Sequence, residues 1–381
     1  MIKGDIPVKV DSALGQEFQK RLMRHKLDSF AEYRLISFSV GTTGILALIF
    51  ALNAYSLIHK KLNIFFLTAT IVYGAALALQ ALLRQRMRKE IVTSGGLSRV
   101  TRFCGVLLLP FVVSGNIFAF VAGCALFKKD PTIEYSLCVY MLLTNVCIIL
   151  VSALNLFKER VAETFFLGMG LQAVALAVSV WVTLVISKHV TAKTIEKRLI
   201  WLCLPLVAAT ISGNLFCLAL AIVLYKRCTQ QNTEVTIKWI DILRRLFRNQ
   251  TAVVGLFVVV FLISVSISSM LTFDQAMAID NNYSALLKEP CAEYPFGTDD
   301  FGRCVFSRII YGARISLFVG LAAISYPVIV GGTLGALAGY YGGKLDNIIM
   351  RAIDVIYAIP GVLLSMVIIA SFGANVVTLV F

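Results

Sequence analysis

The residue types that most often carry out chemistry are few in this sequence and far apart. Nine cysteines and three histidines occur, but no two cysteines have the Cys-x-x-Cys spacing of a zinc or redox site. His25, His59 and His189 lie in separate polar segments, which does not favour a shared acid–base arrangement. We therefore predict no catalytic residue, no metal ligand and no cofactor-binding residue.

Two asparagines in apolar surroundings are the clearest polar candidates. Asn116 and Asn214 each follow a Ser-Gly pair near the middle of a long apolar run. Such residues form either a substrate or ion site or hydrogen bonds between helices. We favour the hydrogen bonds, because no Asp, Glu, Lys or Arg lies in the middle of the first six apolar runs to relay protons.

The composition is that of a membrane protein. The 381 residues are 59% hydrophobic and 15% charged, whereas soluble domains are about 45–50% apolar and about 25% charged. This excludes an ordinary soluble enzyme, a disordered chain and a nucleic-acid-binding domain. We predict an all-α polytopic protein of the plasma (inner) membrane with about nine transmembrane helices. The apolar runs are 35–58, 64–83, 103–127, 137–157, 165–187, 199–225, 251–272, 314–341 and 353–372.

Lysine and arginine set the predicted orientation. They are densest in 3–34, 84–102 and 226–248, which fall on one side if every run crosses the membrane, and that side should be cytoplasmic. The N-terminus is therefore predicted to be cytoplasmic, and the net charge of +14 is attributed to orientation. The basic segment 188–198 disagrees, because it would lie outside.

Four parts are predicted along the chain. They are a cytoplasmic segment 1–34, a six-helix membrane domain 35–225 of unknown role, a basic cytoplasmic linker 226–250, and residues 251–381 with an external loop at 273–313. Three short matches at a spacing of about 100 residues indicate two three-helix units. If each unit crosses the membrane three times, the second unit is inverted relative to the first. Chance similarity is the alternative. The matches are Ser114–Phe118 with Ser212–Phe216, Ala51–Asn53 with Ala153–Asn155, and Phe65–Leu67 with Phe165–Leu167.

Glycines recur every four residues near the end of the eighth run. Gly331, Gly335, Gly339 and Gly343 are expected on one helix face, where the absence of side chains lets another helix approach closely. The stripe serves either transport or packing alone.

The C-terminal part, about 237–381, resembles the C-type permease subunit of oligopeptide, dipeptide and nickel ABC importers. The matching residues are Arg244–Leu256, Tyr294–Arg303, Ser307–Arg308, Tyr311–Leu317, Ala338–Gly343, Asp346, Met350–Arg351, Asp354 and Ala358–Gly361. The external-loop motif within them consists of Pro295, Phe296, Gly297, Thr298, Asp299, Gly302 and Arg303.

The resemblance implies part of a type I ABC importer transmembrane domain. Its expected partners are a second permease subunit, two ATP-binding subunits, an extracytoplasmic substrate-binding protein and membrane lipid, with no nucleic acid. ATP hydrolysis is expected on the partner subunits, so this chain is not expected to be an enzyme. The family pattern continues past 381, so we expect an incomplete chain. Cys304 stands where the family usually has Asp, and the first 230 residues are an addition.

Two cysteines bracket the external-loop motif. Cys291 and Cys304 could form a disulfide outside the cytoplasm or remain free thiols. We predict an importer permease subunit for peptides or a related small solute. The alternatives are a non-transporting membrane scaffold or sensor with a permease remnant, and a secondary transporter in 35–225.

Overall fold

The computed structural model describes residues 21, 23, 26–56, 61–128, 132–158, 160–190, 195–229, 241–247 and 249–373. The predictions on 1–20, on most of the linker and on 374–381 lie outside these residues. The all-α membrane class is confirmed. Within these described residues, six helices are long and apolar enough to cross a membrane, and a bent pair brings the number to seven if it counts as one span.

The helices fall in the following order. They are α1 (Ala31–Asn53), α2 (Ile64–Ser94), α3 (Arg99–Phe103), a 3-10 helix (Cys104–Val112), α4 (Ile117–Leu126), α5 (Ile133–Ala153), α6 (Phe165–His189), a 3-10 helix (Lys197–Leu202), α7 (Cys203–Thr210), α8 (Leu215–Thr229), α9 (Gln250–Thr272), α10 (Ala276–Ile279), a 3-10 turn (Tyr283–Ala285), α11 (Val305–Tyr341), α12 (Gly343–Tyr357) and α13 (Gly361–Phe372). Two short strands, Tyr55–Ser56 and Lys61–Leu62, pair antiparallel between α1 and α2.

The chain divides into two compact units. The first contains the described residues up to 157 together with 161–272, and the second contains 158 and 160 together with 273–373. In the first unit, aromatic rings join α8, α5 and α9: Tyr140 and Phe216 have centroids 6.0 Å apart, and Phe216 and Phe257 are 6.2 Å apart. In the second unit, α12 and α13 meet at 82°, with Pro360 between them, so the ninth predicted run is bent rather than straight.

The third predicted run, 103–127, folds back on itself. A Cβ at Gly105 would lie 2.8 Å from the carbonyl oxygen of Gly123, so the two limbs touch through their backbones. Near the open end, the Arg102 guanidinium donates to the carbonyl oxygen of Leu126 at 3.2 Å. Residues 99–126, which we name hairpin A, therefore start and finish at the same end of the first unit.

The sixth predicted run, 199–225, folds back in the same way. The Cys203 thiol donates to the carbonyl oxygen of Ala221 at 3.5 Å, and the Cys228 thiol donates to that of Glu196 at 3.9 Å. Residues 197–229, hairpin B, therefore also return to the end where they began. The prediction that each of these two runs is one continuous helix is wrong.

The Ser-Gly-Asn segments cause both reversals. Gly115 has φ +80° and Gly213 has φ +98°, a backbone region that favours glycine. The following asparagines cap the returning helices: Asn116 Oδ1 accepts from the Ala119 N–H, and Asn214 Oδ1 accepts from the Phe216 N–H.

The two halves of the first unit share one order of elements. Each has two long helices followed by a hairpin, and matching ion pairs join the first helix to the hairpin, Glu32–Arg102 at 3.5 Å and Glu134–Arg227 at 2.5 Å. In each half, two helices are long and apolar enough to cross a membrane, whereas the predicted inversion depends on three crossings in each half.

Candidate functional site

The external-loop motif forms a folded loop between α9 and α11. This loop ends at Cys304, earlier than predicted, because α11 begins at Val305. Gly297 and Gly302 have φ +71° and +73°, and a Cβ at Gly302 would lie 1.7 Å from the carbonyl oxygen of Asn282. No other residue fits at Gly302 without moving the backbone.

Asp299 organises the end of this loop. Its Oδ1 accepts from the backbone N–H groups of Phe301 at 3.0 Å and Arg303 at 2.8 Å. Its Oδ2 accepts from the Arg303 Nε at 2.9 Å and from the Arg308 guanidinium. Burial alone would raise the pKa of Asp299, but the hydrogen bonds from Arg303 and Phe301, with the charge of Arg303, lower it below the ordinary value.

Thr298 fastens the other side of the loop. Its hydroxyl donates to the carbonyl oxygen of Ala285 at 2.5 Å and accepts from the Lys288 N–H at 2.7 Å. The rings of Phe296 and Phe301 remain about half exposed, and the Arg303 guanidinium lies 4.5 Å from the Phe301 ring centre. Pro295 is partly exposed beside them. The motif therefore builds a hydrogen-bonded loop with two aromatic rings on its outer surface.

Of the two alternatives for the cysteines that bracket the motif, the structure has the free thiols. Cys291 and Cys304 are both free, and Cys291 is exposed whereas Cys304 is buried. The Cys304 N–H donates to the carbonyl oxygen of Met277, which holds this residue in the interior of the loop. The thiol of Cys304 lies beside the ammonium of Lys158.

Lys158 is a buried cation that the sequence analysis missed. It lies in the connection between α5 and α6, is 7% exposed, and donates to the Ser307 hydroxyl at 2.6 Å. Its Nζ lies 5.2 Å from the ring centres of both Phe273 and Phe306. Burial lowers its pKa below the ordinary value. Nothing in the sequence around Lys158 indicates burial, because the position is in a charged segment between two apolar runs.

Asn116 and Asn214 lie at the tips of the two hairpins. The Asn116 amide contacts the Thr43 hydroxyl at 3.3 Å, and the Asn214 amide donates to Met141 O and Asn145 Oδ1, both at 2.8 Å. Thr43 and Asn145 are each near the middle of a long helix. Both asparagines are fully buried. These contacts support the interhelical reading over a substrate site.

The glycine stripe is shorter than predicted. Gly331, Gly335 and Gly339 lie on α11, but this helix ends at Tyr341, and Gly343 has φ +57° and begins α12. No described atom of the chain lies within 4 Å of a Cβ at any of the four. The stripe is therefore open.

The C-terminal part matches known permeases. A family model described as the N-terminal TM domain of oligopeptide transport permease C matches residues 238–290. Residues 237–381 are thus similar to C-type peptide permeases. This permease-like part is 42% identical over 137 residues to the dipeptide transport system permease protein DppC of Alkalihalophilus pseudofirmus, covering 36% of this chain and 45% of that protein.

Two further relatives give the same picture. The glutathione transport system permease protein GsiD of Pectobacterium atrosepticum is 36% identical over 152 residues, 39% of this chain and 50% of that protein. The oligopeptide transport system permease protein OppC of Bacillus subtilis is 36% identical over 126 residues, 33% of this chain and 41% of that protein. The chain thus spans about half or less of the length of these relatives. No solved structure matches the chain.

Proposed function

We propose that the chain is a permease subunit of an ABC importer for peptides or a related small solute of the dipeptide, oligopeptide or nickel class. The observation that carries the proposal is the similarity of the permease-like part to peptide and glutathione permeases. The folded loop around Asp299 supports it, because a folded outer surface suits a subunit that receives substrate from a binding protein. Alternating access would be driven by separate ATP-binding subunits.

The open faces of the second unit support a partner permease. The helices α12 and α13 have no buried residue, and the glycines of α11 face open space. Small residues on a membrane helix let a neighbouring backbone come close. A second permease subunit that packs on this surface would complete the pathway.

We infer a membrane orientation from the hairpins. Because hairpins A and B return to their starting end, the connection 127–132 and the segment 188–198 lie with the basic segments 84–102 and 226–248, and 154–164 lies at the opposite end. This removes the disagreement over 188–198, since all these basic segments then share the cytoplasmic side. The N-terminus is cytoplasmic in this arrangement, and the loop around Asp299 is external.

Affinity purification from the native membrane tests the proposed function. A tagged chain should co-purify with an ATP-binding subunit and a second permease, and deletion of the chain should abolish uptake of a labelled peptide. A chain that purifies without either subunit, from cells whose peptide uptake is unchanged by the deletion, would instead identify a scaffold or sensor. Uptake that persists when only residues 1–230 are expressed would establish the secondary transporter.

A further inference from the structure

The helix α9 carries a row of buried hydroxyl groups along one side. Ser264, Ser268 and Thr272 are spaced by four residues, so they lie on one side of the helix. Their exposed fractions are 0%, 3% and 0%. Hydroxyl groups in a membrane helix are stable where they find partners within the protein.

The partners of this face all belong to the second half of the first unit. The Gln172 amide donates to the Ser268 hydroxyl at 2.5 Å, and the Ser264 hydroxyl accepts from the Leu215 N–H at 3.3 Å. The Asn155 amide donates to the carbonyl oxygen of Thr272 at 2.9 Å. The segment just after α5, the helix α6 and hairpin B thus each form at least one hydrogen bond with α9.

Two glycines let the backbones come close. A Cβ at Gly213 would lie 2.9 Å from the Ser264 carbonyl oxygen and from the Ser268 nitrogen. A Cβ at Gly168 would lie 2.9 Å from the Thr272 methyl group and 3.1 Å from the Leu271 Cβ. Gly213 therefore has two roles, because it allows hairpin B to reverse and it leaves room for the backbone of α9.

The described residues of the first half form no such surface. At the equivalent spacings, Phe50 replaces Ser152 and Val72 replaces Gln172. Phe65 is 72% exposed whereas Phe165 is 1% exposed, and Asn53 is exposed whereas Asn155 is buried. The polar groups and the close approach are thus confined to the half that contacts α9.

We infer that the second half of the six-helix domain is a fixed seat for the first helix of the permease-like part, and that α9 stays docked in it throughout transport. Release would break the hydrogen bonds that Ser268 accepts from the Gln172 amide and Ser264 accepts from the Leu215 N–H, in surroundings where hydrocarbon offers no replacement. The elements of the permease-like part that move during transport are then those that come after α9 in the sequence. The statement about transport rests on the proposed function, whereas the seat itself does not.

Cross-linking tests the seat. Gly168→Cys with Leu271→Cys places two Cβ atoms near the separation of about 3.5–4.5 Å that a disulfide needs, and Gln172→Cys with Ser268→Cys is a second pair in case Gly168→Cys crowds Thr272. A protease site inserted within 230–240 reveals the cross-link, because the two fragments then migrate together until they are reduced. Trp181→Cys with Leu271→Cys is the matched control, since Trp181 is exposed on α6 and more than three turns beyond Gly168.

We expect both test pairs to cross-link in membranes, with the same yield in the presence of ATP and a peptide, and the control pair not to. Uptake should stay within about twofold of the wild type before and after reduction. Cross-linking that abolishes uptake, with recovery on reduction, would show that α9 moves and would overturn the inference. Failure of both pairs to cross-link would remove the seat. Cross-linking in a chain whose wild type supports no uptake would refute the proposed function and leave the seat established.

Discussion

At the scale of single residues, the external-loop motif is explained by the loop that it builds. Gly302 leaves room for the Asn282 carbonyl, Thr298 joins two backbone segments, and Asp299 receives four donors. Sequence analysis could select these residues through a resemblance, but it could not show their partners, because Ala285 and Asn282 lie outside the motif. The motif is therefore a structural core of the loop, and its exposed surface includes the rings of Phe296 and Phe301.

The substitution Asp299→Asn should loosen this loop. The amide keeps the shape but loses the charge that Arg303 and Arg308 contact, and hydrogen bonds to charged groups contribute about 1.5–3 kcal/mol each. We expect faster hydrogen exchange over 282–304, with Asp300→Asn as the exposed control that leaves exchange unchanged.

In the wild type, the interactions that lower the pKa of Asp299 stabilise the loop fully at pH values above the ordinary aspartate pKa. This contribution is lost as the pH falls through the lower, folded-state value, so equal exchange rates for Asp299→Asn and wild type near neutral pH would contradict the assignment.

The substitution Lys158→Met should change how stability depends on pH. The pKa of Lys158 is lowered by burial, so the folded state binds the proton less readily than the unfolded state and wild-type stability rises as the pH approaches the ordinary lysine value. The unfolding temperature of wild type relative to Lys158→Met should therefore increase between about pH 7 and the ordinary pKa near 10.4. Lys89→Met, at an exposed position of α2, is the control. A constant difference across this range would mean that Lys158 is not buried as a cation.

At the scale of elements, most helices could be predicted and the hairpins could not. The helices α1, α2, α5, α6 and α9 begin and end within a few residues of the apolar runs, except for the longer end of α2. A run of about 25 apolar residues has the same composition whether it crosses the membrane or turns back half-way. The signals were present in the Ser-Gly-Asn segments and in the basic segment 188–198, but each has an ordinary alternative explanation.

Cysteine labelling distinguishes hairpins from crossings. In a chain whose native cysteines are replaced by alanine, Arg160→Cys and Arg198→Cys exchange sides between the two arrangements. Hairpins place position 160 outside and position 198 in the cytoplasm, and nine crossings place them the other way round. We expect a membrane-impermeant maleimide to label position 160 in intact cells and position 198 only after the cells are opened. Arg99→Cys, cytoplasmic in both arrangements, is the control.

Closing of hairpin A depends on its facing glycines. Gly123→Leu would force a side chain into the Gly105 carbonyl oxygen, which a Cβ alone already approaches to 2.7 Å. Overpacking of this kind costs about 1–3 kcal/mol, occasionally more, so we expect a lower unfolding temperature and less protein in the membrane. Gly74→Leu on α2, where a Cβ meets open space, should leave both unchanged. Equal yields of the two variants would argue against contact between the limbs.

At the scale of the whole molecule, the two units differ in how far their helices are buried within the unit. In the first unit, long helices, hairpins and α9 share buried polar contacts, so the six-helix domain and the first permease-like helix form one packed body. In the second unit, α12 and α13 have no buried residue in the part of the chain that the structure describes. Sequence analysis placed the boundary of the permease-like part before α9, because the resemblance begins there, whereas packing places α9 with the preceding helices. Homology and packing thus divide the chain at different points.

The open glycines of α11 make a specific prediction about assembly. Gly335→Leu should leave the chain itself folded, because a Cβ at this position meets no atom of the described chain. It should nevertheless reduce co-purification of the second permease subunit at least tenfold, since a leucine would hold a neighbouring helix away from the stripe. Thr333→Leu is the matched control, because Thr333 is also exposed on α11 but lies about 160° around the helix from Gly335. Thermal unfolding of both purified chains checks that folding is intact. Equal recovery of the partner with both variants would show that the second permease subunit packs elsewhere.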